Sequence, residues 1–127
     1  MRGLFMSFLL VFVGAGLGGV MRQAVNVAAM RLGSGFPYGT LGINILGSLA
    51  MGLVVGWFAL RGGGMQARLF LTTGVLGGFT TFSAFSLDAV TLLERGETNA
   101  ALIYVLGSVI VSIGALFAGL GVMRAIL

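Results

Sequence analysis

The sequence predicts an all-helical membrane protein built from four transmembrane helices. Two observations lead there. Of the 127 residues, 58% are hydrophobic and only 8% are charged, far from the composition of a soluble domain. Four uncharged stretches follow one another: Gly3 to Met21, Leu32 to Leu60, Leu69 to Leu87 and Thr98 to Met123. Each has roughly the 20 apolar residues that a helix needs to cross a bilayer. With such short connections between them, residues 1–127 read as one four-helix transmembrane domain.

The first helix is expected over about 3–31. Arg2, an apolar run and small residues around Gly14 to Gly19 imitate a signal peptide, but the run is too long for one. "GAGLGG" at Gly14 to Gly19 imitates a dinucleotide fingerprint. It lies inside a span, with no preceding strand and no acid until Asp88, so that reading fails. The loop "GSGFP" ends the helix, and Pro37 can open the next one, over about 37–61. "RGGG" closes it. The third helix is expected over about 66–94 and the fourth over about 98–125, with Thr98 as a possible cap after the turn "RGET". Glycines four apart, Gly14 and Gly18 or Gly52 and Gly56, suit close packing of helices in lipid.

The third helix contains "GGFTTFSAFS", Gly77 to Ser86. Glycines and threonines are poor mid-helix residues, so a break is expected near 77–81, with Thr80 or Thr81 capping the second half. A broken membrane helix frees carbonyls on one side and N–H groups on the other. It survives only when buried in protein or lining a cavity.

All seven basic residues are arginines. Four spans put Arg2, Arg61, Arg68 and Arg124 on one side of the membrane and Arg22, Arg31 and Arg95 on the other. That split gives almost no bias of orientation. A small protein that inserts both ways can pair with its inverted copy, the arrangement larger transporters build from inverted repeats. The arginines are scattered singly, which excludes a nucleic-acid surface. There is no cysteine and no histidine, so disulfides, zinc sites, thiol nucleophiles and the commonest general base are absent. No catalytic constellation remains, and no enzyme is expected.

Polar residues in hydrocarbon need partners or a pathway. Thr40, Asn44 and Ser48 are spaced by four, as are Tyr104, Ser108 and Ser112; each trio shares one helix face. A lone serine ordinarily bonds back to its own helix, but an asparagine amide cannot satisfy itself that way. The stripes hold no acid. They offer hydroxyls and an amide, which donate to anions, and Arg22 could draw anions into a vestibule. Phe82 and Phe85 share a face, with Ser83 beside it. Their ring edges carry partial positive charge.

Together, "GGFTTFSAFS", the asparagine of "GTLGINILGS" and four short spans with few charges resemble the Fluc (CrcB) family of small bacterial fluoride channels, over nearly the whole chain. The resemblance implies a passive fluoride exporter of the bacterial inner membrane that relieves fluoride toxicity. It implies an antiparallel, dual-topology homodimer with two pores and a central sodium ion. By motif, the pore would use Thr40, Asn44, Phe82, Ser83, Phe85, Tyr104, Ser108 and Ser112, with Arg22 at the vestibule. The sodium would be held by the backbone carbonyls of Gly77 and Thr80. Two alternatives stand beside it. A small cation or drug/proton antiporter needs a membrane-embedded carboxylate, for which only Asp88 is available. A non-transporting membrane subunit would use the polar stripes as glue between helices.

Overall fold

The computed structural model describes residues 1–127 and contains helices and connections only. The first span is α1 (Arg2–Ala29), continued by a 3₁₀ turn at Met30–Leu32. Gly33, at φ 64°, takes the left-handed conformation that closes a helix and that other residues avoid. The second span is α2 (Tyr38–Arg61), with Pro37 at its N-cap. The third is composite: α3 (Met65–Leu69), a π-helical stretch (Phe70–Leu76), α4 (Gly77–Phe79) and α5 (Phe82–Glu94). The fourth is α6 (Thr98–Ile126). Thr98 does not cap it: Glu97 occupies the N-cap without a side-chain bond, and Thr98 is the first helical residue.

All four spans are long and apolar enough to cross a membrane. Only 15 of the 127 residues are buried, so the large apolar side chains mostly face outward, as lipid-facing side chains do. Cohesion therefore rests on close backbone approach. α2 lies along α6, and α1 lies along the π-helical stretch and α4. At the first crossing, a Cβ on Gly119 would stand 2.5 Å from Leu49 O, and one on Gly52 would run into Leu116 O. At the second, a Cβ on Gly14 would stand 2.9 Å from Gly74 Cα, and one on Gly18 would run into Val75 O. Lipid tails are as apolar as leucine, so this van der Waals contact, rather than burial from water, holds the helices together.

The π-helical stretch has a local chemical reason. Thr72 Oγ1 donates to Arg68 O at 2.8 Å, the carbonyl that the Thr72 N–H takes in an α-helix. A hydroxyl competing for that acceptor favours departure from regular helix, and the register widens over Phe70–Leu76.

Candidate functional site

The site is built around Thr80 and Thr81, between α4 and α5. Thr80 is extended (φ −83°, ψ 159°), and so is Thr81 (φ −153°, ψ 121°). The hydrogen bonds of the neighbourhood account for this geometry. Thr80 N–H and Thr80 Oγ1 both donate to Leu76 O, at 3.0 and 2.9 Å. Thr81 Oγ1 accepts from Ala84 N–H at 3.2 Å, a side-chain N-cap for α5. Thr81 N–H donates to Asn44 Oδ1 at 3.1 Å, and Asn44 Nδ2 donates to Thr81 O at 3.2 Å. Asn44 therefore reaches across from α2 and grips the backbone of the third span. Sequence spacing placed Asn44 on a polar stripe and missed this grip, because nothing local to α2 signals it.

Two carbonyls lose their helical donors in the process. A continuous helix would send Thr81 N–H to Gly77 O and Ala84 N–H to Thr80 O. Those hydrogens go to Asn44 Oδ1 and Thr81 Oγ1 instead.

Beside this segment lies a cavity of about 430 Å³. It brings together Asn44 and Ser48 of α2, Thr80, Thr81, Phe82 and Phe85 of the third span, and Ser108 and Ser112 of α6. Met51, Val109, Ile113 and Leu116 supply its apolar wall. The Phe82 and Phe85 rings are 5.6 Å apart and tilted by 55°. Phe82 is 78% exposed, so its ring stands open at the cavity mouth.

Hydroxyls of the third span and of α6 differ in their bonding. Thr72, Thr80, Ser86 and Thr91 each donate to the carbonyl four residues earlier. Ser108 Oγ and Ser112 Oγ are buried and have no hydrogen-bond partner. The ordinary fate of a membrane serine, bonding back to its own helix, is not theirs. An unmet buried hydroxyl costs about 1–3 kcal/mol, and both serines belong to the lining of one cavity.

The other expected site residues lie outside the cavity lining. Tyr104 is fully buried and donates to Asp88 Oδ2 at 3.0 Å. Its ring lies against Phe85, tilted by 38° with centroids 5.3 Å apart, and meets Phe36 edge-on at 5.6 Å. Thr40 is buried beside it. The Tyr104 group thus adjoins the cavity through Phe85 and closes its stripe against Asp88. Ser83 is 3.2 Å from Thr81 Oγ1. Gly77 is exposed and is not part of the lining. Arg22 is half-exposed on α1 and makes no ion pair; the one salt bridge is Arg95–Glu97 at 3.0 Å. Arg95 also donates to Gly35 O at 2.7 Å, tying the last turn to the first loop.

The family model described as "CrcB-like protein, Camphor Resistance (CrcB)" matches residues 9–120. The chain belongs to the CrcB family. The match spans the asparagine of "GTLGINILGS" and Gly77 to Ser86, the segments that carry the resemblance, and also the Ser108–Ser112 stripe. A protein of Methylobacterium nodulans named "Fluoride-specific ion channel FluC" is 64% identical over 120 residues, covering 94% of this chain and 97% of its own length. One of the same name from Rhodopseudomonas palustris is 58% identical over 123 residues, covering 95% and 99%. A third, from Paracoccus denitrificans, is 57% identical over 120 residues, covering 94% and 96%. As a CrcB member with four membrane-length helices, the chain is a multi-pass membrane protein.

Proposed function

We propose that the protein is a fluoride-selective channel of the bacterial inner membrane that lets fluoride leave the cell passively and so relieves its toxicity. The observation that carries this reading is the pair of buried, unpartnered hydroxyls on Ser108 and Ser112, two residues of the cavity lining that also holds Phe82, Phe85 and Asn44. Relatives named as fluoride-specific channels support it at 57–64% identity.

The chemistry matches the ion. Fluoride is small and strongly hydrated, and stripping its water without compensation costs on the order of tens of kcal/mol by Born reasoning. A pore must replace that water with donors and still release the ion. Hydroxyls, one amide hydrogen left over on Asn44 and ring edges meet both demands. A buried arginine would hold the ion too tightly. α5 begins at Phe82, within the cavity lining, so its N-terminal partial charge lies beside the same site. Thr40, Ser83 and Tyr104 extend the track beyond the cavity, and Arg22 serves the vestibule.

The working unit in this reading is an antiparallel homodimer. Phe82, a proposed pore wall, is 78% exposed on the single chain, and the even arginine split lets both orientations form. A structural sodium ion would sit on the dimer axis. The residues fit it: Gly77 O and Thr80 O have lost their helical donors, and carbonyl oxygens are hard ligands suited to an alkali cation. Such an ion would supply the positive charge and coordination that these carbonyls lack; the pore residues hold fluoride themselves.

Efflux from liposomes holding the purified protein tests the reading. Fluoride is expected to leave rapidly and chloride to stay, with no requirement for a proton gradient. Equal rates for the two anions, or flux that appears only with a proton gradient, would overturn it. The second result would return Asp88 to the centre as an antiporter carboxylate. Accessibility tags should find each terminus on both sides of the membrane. Replacing sodium and potassium by a bulky organic cation should weaken the dimer and reduce flux.

A further inference from the structure

We propose that Asn44 opens the third helix: it is a positioning residue whose one carboxamide takes over both hydrogen bonds that Thr81 would make in a continuous helix. In that helix, Thr81 N–H would donate to Gly77 O, and Phe85 N–H would donate to Thr81 O. Neither bond is present. Asn44 Oδ1 accepts the first hydrogen at 3.1 Å, and Asn44 Nδ2 occupies the second acceptor at 3.2 Å. This is the paired exchange that two directly opposed residues make in an antiparallel sheet. Thr81 has the matching extended backbone, φ −153° and ψ 121°. Only a side chain with a donor and an acceptor in one planar fork can imitate a strand in this way. Aspartate offers two acceptors, and leucine offers neither group.

The approach is prepared one turn along α2. A Cβ on Gly47 would run into Thr80 Cγ2. The methyl group of Thr80 therefore lies over a glycine notch, and α2 comes near enough for a short asparagine to reach the backbone of Thr81.

The exchange releases one group on each side of the break. On the α4 side it releases the carbonyl of Gly77, the acceptor assigned above to the cation. On the α5 side it releases the N–H of Phe85, a residue of the cavity wall. A single amide thus creates an acceptor for one ion and a donor for the other, and the second Nδ2 hydrogen remains for the cavity. What the released groups bind rests on the channel reading; the clamp itself does not.

Solid-state NMR of isotope-labelled protein in bilayers tests the clamp directly. In the parent, Thr80 and Thr81 carbons should resonate as extended backbone. The Thr81 amide proton and one Asn44 side-chain proton should be protected from exchange, while the other Asn44 proton exchanges. In Asn44→Leu, the Thr81 carbon shifts should move toward helical values, and fluoride flux should fall by about tenfold or more, as loss of two buried hydrogen bonds implies. Thr81 carbons that stay extended in Asn44→Leu would overturn the proposal even if flux falls, because Asn44 would then act on the ion and not on the backbone. If that variant does not fold, the parent decides alone: an unprotected Thr81 amide, or two freely exchanging Asn44 protons, overturns the clamp. A parent with the protected pair but no fluoride flux would uphold the clamp and defeat the channel reading, so the two stand or fall separately.

Discussion

Two stretches of this chain are rich in hydroxyls, and they use them in opposite ways. Between Thr80 and Ser86 the hydroxyls of Thr80, Thr81 and Ser86 serve the backbone. Thr80 donates to Leu76 O, Thr81 caps Ala84 N–H, Ser86 donates to Phe82 O, and Ser83 meets Thr81. Along α6, Ser108 and Ser112 are buried with nothing to bond. The first set holds a non-helical turn in a medium that tolerates none without partners. The second set has donors that no protein group uses. Similar composition therefore hides two arrangements, backbone support in one stretch and unpartnered hydroxyls in the other, which the proposed channel reading assigns to solvation of the ion.

The largest effect is expected from removing the idle donors. A hydrogen bond to a charged group contributes about 1.5–3 kcal/mol. Ser108→Ala or Ser112→Ala should therefore cut fluoride flux by about tenfold or more in liposome efflux. Because neither hydroxyl bonds to the protein and each costs about 1–3 kcal/mol while unmet, the same variants in detergent should unfold no more easily than the parent, and removal of the unmet group should if anything stabilise them. A marked stability loss with unchanged flux would place these serines in the architectural set and erase the contrast.

The rings should come next. Phe82→Ile and Phe85→Ile preserve bulk and remove the aromatic quadrupole, whose edge contacts are worth about 0.5–1.5 kcal/mol. Flux should drop several-fold while the dimer still forms on cross-linking. Methionine, with a polarisable thioether, should be tolerated better than isoleucine. If both isoleucine variants conduct like the parent, the rings are packing only, and the pathway rests on Asn44 and the α6 hydroxyls.

The architectural hydroxyls should give the reverse pattern. Thr81→Val deletes the α5 cap and should cost about 1 kcal/mol of stability, read as a lower unfolding midpoint, with a smaller proportional change in flux. Smallest of all should be Thr80→Ser. It keeps the hydroxyl that donates to Leu76 O and loses the methyl group over Gly47. That is worth about 0.8 kcal/mol at most, and flux should be retained because the carbonyl of Thr80 is unchanged.

Much of this is legible in the sequence alone. Runs of apolar residues and the positions of "GSGFP", "RGGG" and "RGET" mark four membrane-length helices, because helix length and hydrophobicity are local properties that the bilayer reads directly. The specific core Gly77 to Ser86 places the chain in its family, since its residues sit close together in sequence. The polar stripes were legible as stripes by the spacing of four.

Other features depend on what packs against what. The spacing that puts Tyr104 in line with Ser108 and Ser112 does not reveal that Tyr104 turns to Asp88 while the two serines turn to no partner. Nor does it separate them from Thr72, whose hydroxyl bonds back to its own helix within a π-helical stretch. Asn44 and Thr81 are 37 residues apart, and each alone has an ordinary local explanation. Their pairing exists only because Gly47 lets α2 approach the third span and presents an amide fork to a backbone that has left the helix. Local chemistry sets where helices start and stop; the partner of a buried polar group is decided by whichever distant atom the fold brings within about 3 Å of it.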